Sequence, residues 1–288
     1  MDKMKRIENQ FAYTLNRLMK SMIGTFSANV KYYDPKKFLE WLEIYANSPA
    51  YKDWCERVAY EITSKVDRNV SATWREAARK AGRGNDIYAA IMAELEKPHG
   101  GVFSQTVREN AKMITNKIVD KIAKKIESFP LEMREEMVQY ISHEGLQGRR
   151  SSDIMSDLLE RFRSIGESRL QLIARTEVSK SQSALTQSRA LSLGLNWYIW
   201  RTSDDARVRT AHEHMDSVLV NWNNPPNPEA LDPKGKQKPY GNYHAGGTFN
   251  CRCYSEVIVN LNYVEFPAKV YRNNAIVRMT RADFEKLM

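Results

Sequence analysis

The spacing of apolar residues changes period once along this chain, at Gly194, and that change limits the folds open to it. Upstream, apolar residues recur at three and four: Ile7, Phe11, Leu15, Leu18 and Met22 near the start, then Val107, Ala111, Ile114, Ile118, Ile122 and Ile126. That spacing lines one face of a helix. Downstream, Trp197, Tyr198, Ile199 and Trp200 bring aromatic and β-branched residues into a short run that fits a strand. Proline follows the same division. Only Pro35, Pro49, Pro98 and Pro130 precede residue 200, while Pro225, Pro226, Pro228, Pro233 and Pro239 crowd a single later stretch. The expected fold class is α+β, a predominantly helical N-terminal body followed by a small C-terminal domain with a few β-strands. The expected division is a basic helical body at 1–167, a long connecting helix at 168–195, and a small α+β domain at 196–288.

Local signals place the elements. Asp34 followed by Pro35 predicts an N-cap and a first helical turn, and Ser48-Pro49 predicts its end. Helices are predicted over 51–81 and 86–97, and another through the isoleucine series to Phe129-Pro130. Gly166 predicts a turn between a helix capped at Ser151 or Ser152 and a second one over 168–192. Beyond Gly194 the expectations are a short helix at 207–216, a strand at 218–220, an extended loop at 221–247, and a returning strand at 253–261. A single strand at 269–277 and a closing helix at 281–288 follow.

Charge is unevenly spread. The chain carries +9 overall, yet residues 196–260 balance seven Lys/Arg against seven Asp/Glu and the tail from Leu261 carries five against three, so about +7 of the excess lies on residues 1–195. Lys112, Lys117, Lys121, Lys124 and Lys125 share the helix of the isoleucine series. A basic helical surface suits double-stranded DNA or an acidic protein partner, and equally a solvated helix face. Three cysteines cannot make a fully paired disulfide framework, and no signal-peptide pattern or run of about 20 apolar residues is present. These features predict a soluble chain without a membrane anchor, made in a reducing cytoplasm.

The chemistry-bearing residues lie between Asp204 and Cys253. His212 and His214 flank Glu213, near Asp204, Asp205, Arg207, Arg209 and Asp216, and Cys251 and Cys253 stand one residue apart. Three readings compete. One is a zinc site on His212, Cys251 and Cys253, completed by His214, His244 or an aspartate, since zinc takes four N, S or O ligands. Another is a metal-dependent nuclease, with Asp204 and Asp205 holding a hard cation and His212 or His214 as general base. The last is structural: the aspartates cap a turn and pair with the arginines, and the cysteines are buried small hydrophobes. His212-Glu213-His214 lacks the spacing of a zinc-protease helix.

One ordered set of motifs carries a resemblance. It runs I-A-R-T-E (Ile173–Glu177), a small-residue helix to Gly194, W-x-x-S-D-D-A-R-V-R-x-x-H (Trp200–His212) and N-C-R-C (Asn250–Cys253). In this order the set resembles the phage Mu F-type head morphogenesis family, minor head proteins of tailed bacteriophages and prophages, over about 151–259. The matching positions are Arg175, Thr176, Glu177, Asp205, Arg207, Arg209, His212, Cys251 and Cys253. The resemblance implies a non-enzymatic minor capsid component in the virion head near the portal, with portal, capsid or scaffold proteins as partners. It also implies a part in head assembly, DNA packaging or DNA ejection. Many members place a proline-glycine or a histidine directly before the C-R-C, whereas His244 here lies seven residues before Cys251. A fourth zinc ligand is therefore unassigned.

Overall fold

The computed structural model of the 288-residue chain describes residues 3–29, 34–81, 105–147, 149–235 and 238–288. The helix expected at 86–97 lies outside them. The chain divides into two compact units, Met1–Ser64 with Lys117–Glu177, and Lys65–Asn116 with Val178–Met288.

The first unit is helical. It contains α1 (Lys3–Asn29), α2 (Pro35–Asn47), the first half of α3 (Pro49–Ala81), the second half of α4 (Gln105–Glu127), α5 (Phe129–Leu146) and the first part of α6 (Ser151–Ser192). The Asp34 side chain accepts the Lys36 amide hydrogen and Pro35 takes the first turn. Pro49 then opens α3 directly, where its missing N–H is not needed. The periodic residues close on an aromatic core: Phe38 lies 4.7 Å from Phe26 and 5.3 Å from Phe162, and Phe129 lies 6.4 Å from Phe162. Tyr51 donates its hydroxyl hydrogen to the Ile126 carbonyl at 2.6 Å, fixing α3 on α4. Beside it, burial pushes the Cys55 thiol up to about 12.

The turn expected at Gly166 does not form; α6 runs unbroken through it. A Cβ at that position would stand 2.5 Å from the Met19 sulfur and 3.4 Å from the Phe129 ring. A glycine there lets α1 and Phe129 close onto α6, at a helix cost of about 1 kcal/mol relative to alanine.

The second unit is built on a five-stranded sheet in the order β3-β1-β2-β4-β5. Its strands are β1 (Trp197–Arg201), β2 (Val218–Asn221), β3 (Tyr254–Val257), β4 (Ala268–Arg272) and β5 (Ala275–Met279). β1 pairs antiparallel with both β2 and β3, β2 pairs parallel with β4, and β4 pairs antiparallel with β5. Residues 269–277, expected as one strand, fold as a hairpin. Asn273 and Asn274 take φ of 50° and 59°, the two left-handed residues of a tight hairpin turn that asparagine tolerates. The expected closing helix is α9 (Arg281–Glu285), capped by Thr280.

Strand β1 is buried on both faces. On one face Trp197 and Ile199 pack with Leu219, Val270 and Phe284, the last 4.9 Å from Trp197 ring to ring. On the other, Tyr198 and Trp200 meet the loop that follows β2. That second face carries the chemistry.

Candidate metal centre

Two sequence segments about 40 residues apart are joined rung by rung. The first rises from the turn at Asp204, whose φ is 50°, into α7 (Thr210–Met215). The second is the Phe249–Cys253 stretch that leads into β3. Asp205 receives both terminal nitrogens of Arg252, at 2.7 and 3.1 Å. Arg209 donates to the Phe249 carbonyl at 2.8 Å. His212 Nδ1 stands 3.6 Å from Cys251 Sγ and 3.4 Å from Cys253 Sγ. Burial alone would raise the Asp205 carboxyl. The Arg207 amide and the Arg252 guanidinium outweigh it and hold the group below the usual carboxylate range.

The alternation of C-R-C follows from an extended backbone, in which residues two apart share a side. Both cysteines therefore face His212, and Arg252 between them points away to Asp205. Asn250, with φ of 54°, turns the chain into this register. Gly246 does the same service from the other side: a Cβ there would meet the Cys253 carbonyl at 2.9 Å and the Ser179 hydroxyl at 3.0 Å. All three candidate ligands are buried, His212 at 2%, Cys251 at 2% and Cys253 at 4% exposure. Hydrogen bonding from the Cys253 thiol, with His212 adding to it, holds Cys251 well below the usual thiol range. The same bond and burial push Cys253 up.

The far nitrogen of His212 is also engaged. Nε2 lies 2.9 Å from the Tyr243 hydroxyl, which donates to Glu229 Oε1 at 2.5 Å. Glu229 sits on α8 (Pro228–Leu231), a one-turn helix capped by Asn227. Its side chain is fully buried.

Among the described residues, the group of side chains placed to hold a metal is His212, Cys251 and Cys253. His214 is not in it, because residues two apart on a helix do not face one way. Nor is His244, which meets the Tyr198 hydroxyl at 3.1 Å and Gln187 at 3.4 Å. The nuclease residues do not converge: Asp204 is exposed, and Asp205 is engaged by Arg252. Arg175 pairs with Glu8 of α1 at 2.9 Å, Thr176 is buried, and Glu177 is half-buried beside it on α6. Arg207 is exposed and offers its backbone amide to Asp205. On α4, Lys112, Lys117 and Lys121 are exposed, Lys124 pairs with Asp120 at 3.0 Å, and Lys125 with Glu132 at 2.7 Å. Glu229 and Tyr243 carried no sequence signal, since they lie in the loop between the two segments with no motif spacing.

Burial pushes His244 down to about 4, with its Trp222 backbone contact only partly opposing this. The unfolded chain therefore binds that proton first as pH falls. The His244 contribution is complete above the ordinary imidazole value of 6.5 and declines as pH approaches 4. The loss amounts to ~3 kcal/mol once pH is below both values. Urea unfolding at pH 7 and pH 4.5 should show a smaller difference in His244→Gln than in the wild type.

Residues 131–256 match the profile of the family described as Phage Mu protein F like protein. Over this region the chain is similar to the Phage Mu F-like family. The matched span holds nearly all of α5, α6, β1, β2, both joined segments and most of β3, so the candidate metal ligands lie inside the matched region. A protein of Haemophilus influenzae described as an uncharacterized protein is 27% identical over 193 residues, covering 66% of this chain. The match spans 39% of that relative's length. No solved structure matches the chain. Among the described residues, no helix is long and apolar enough to cross a membrane.

Proposed function

We propose that this chain is a minor head protein of a tailed phage or prophage, associated with the portal vertex and acting in head morphogenesis, DNA packaging or DNA ejection. The observation that carries the reading is the Mu F-like match across 131–256, a span that includes every rung joining the two motif segments. Its partners are the portal and the capsid or scaffold proteins, and its place is the virion head, reached from the host cytoplasm during assembly. The protein content of purified heads tests this. The chain should be present in them, and heads assembled without it should fail in packaging or delivery. Its absence from heads that are normal and infectious overturns the reading.

Non-specific binding to double-stranded DNA belongs to the same proposal and is supported by the exposed lysines of α4. Lys112, Lys117 and Lys121 are the ones to expect on phosphates, because Lys124 and Lys125 already face carboxylates. Each phosphate neutralised adds about −0.9 to the slope of log affinity against log salt. Replacing Lys117 or Lys121 by alanine should lower the magnitude of that slope by about one each, uniformly across DNA sequences. Intact DNA and no salt-sensitive gel shift would assign the lysines to a protein partner.

We also propose that His212 Nδ1, Cys251 Sγ and Cys253 Sγ hold a zinc ion. Tetrahedral zinc with its usual bond lengths separates a nitrogen and a sulfur ligand by ~3.6 Å. The two distances from Nδ1, 3.6 and 3.4 Å, fit that edge. Closed burial of all three side chains suits a structural ion, whose chemistry is to cross-link the two segments through deprotonated thiols.

A further inference from the structure

We propose that Glu229 and Tyr243 are positioning residues that fix the tautomer of His212, and so set how tightly the centre binds metal. The inference rests on the zinc reading and extends it to residues that touch no ligand atom of the thiols. Tyr243 has a single hydroxyl hydrogen, and it is donated to Glu229 Oε1 at 2.5 Å. Its oxygen can then only accept from His212 Nε2, 2.9 Å away, so Nε2 carries the imidazole hydrogen. The lone pair is thereby left on Nδ1, the nitrogen that faces Cys251 and Cys253 at 3.6 and 3.4 Å. A neutral imidazole with its hydrogen on the other nitrogen would present N–H to the thiols and could not coordinate.

Burial makes this arrangement costly unless it is used. The Glu229 side chain is fully excluded from solvent, and its Oε2 has no hydrogen-bond partner among the described residues. A buried carboxylate with half its acceptors empty is stabilised by positive charge nearby. The imidazole is the adjoining group: Nε2 lies 3.8 Å from Glu229 Oε1. Metal on Nδ1 makes the Nε2 hydrogen more acidic and strengthens its bond to Tyr243. The same chain of donors, read in reverse, makes Nδ1 a better ligand. Geometry also separates this carboxylate from a catalytic one. Glu229 lies on the opposite side of the imidazole from the thiols, so it acts through the ring and does not reach the metal position.

The test is a zinc titration of the full chain and of Tyr243→Phe and Glu229→Gln against a competing chromophoric chelator. Nitrogen-15 histidine spectra of each zinc-free protein accompany it. The wild type should bind one zinc, and before loading it should carry the His212 hydrogen on Nε2. Tyr243→Phe should bind ~10–100-fold more weakly and Glu229→Gln ~10-fold more weakly. Equal affinities in all three proteins, or a His212 hydrogen on Nδ1 in the zinc-free wild type, would overturn the inference while leaving the zinc reading intact. A wild type that binds no zinc fails the zinc reading itself. If Tyr243→Phe does not fold, Glu229→Gln keeps the shape and the acceptor, and its affinity alone decides.

Discussion

Removing zinc should unfold the C-terminal module more completely than any single side-chain truncation within it. The expected result is one zinc per chain, a melting transition that drops by tens of degrees on chelation, and recovery when zinc is returned. Cys251→Ser and Cys253→Ser should reproduce the drop without a chelator. Structural zinc sites contribute an apparent ~10–16 kcal/mol in small zinc-dependent peptides, an upper bound here because the sheet has its own core. That core is substantial: Leu219 and Val270 are 1% and 0% exposed, and Phe284 is fully buried. The polar rungs add less, since Asp205 and Arg252 are a third and a fifth exposed, and such a pair is worth ~1 kcal/mol. On the proposed zinc reading, the ion would be the largest single contribution to holding the 205–212 segment against 249–253. A chain that carries no zinc and melts identically with and without chelator would leave the thiols as buried, hydrogen-bonded side chains of a purely structural cluster.

Phe162→Ala should destabilise the helical unit by ~3–5 kcal/mol, with zinc content unchanged. Phe162 is fully buried, and it touches Phe38 of α2 and Phe129 at the start of α5, so its ring is shared by three helices. Truncation leaves a cavity that Phe38 and Phe129 cannot both collapse into, because Phe38 is also held against Phe26 at 4.7 Å. Chemical denaturation followed by helical circular dichroism reads this directly, as a lower midpoint for the helix-rich transition. A loss below ~1 kcal/mol would mean that the aromatic cluster is not the centre of that unit's core.

Sequence alone settled much of what depends on near neighbours. Ile118, Ile122 and Ile126 line the buried side of α4 because residues three and four apart share a helix face, and that holds whatever the helix packs against. The Asp34-Pro35 cap, the strand at Trp197–Arg201, and the pairing of Cys251 with Cys253 on one side of an extended backbone are local in the same way. Two local readings failed, one to packing and one to a turn. Gly166 reads as a turn until Met19 and Phe129 are found against it, and residues 269–277 read as one strand until two asparagines adopt left-handed backbone. The candidate centre itself lay between these extremes. His212, Cys251 and Cys253 are recognisable as donors from residue type, but which histidine joins the cysteines is decided by the rotation of α7, which turns His214 away. Glu229 and Tyr243 lie 17 and 31 positions from His212 with no periodic relation to it. Only the path of the loop over the second face of β1 brings a buried carboxylate, a phenol and an imidazole into one line, because hydrogen-bond geometry is fixed in space and leaves no spacing in the chain.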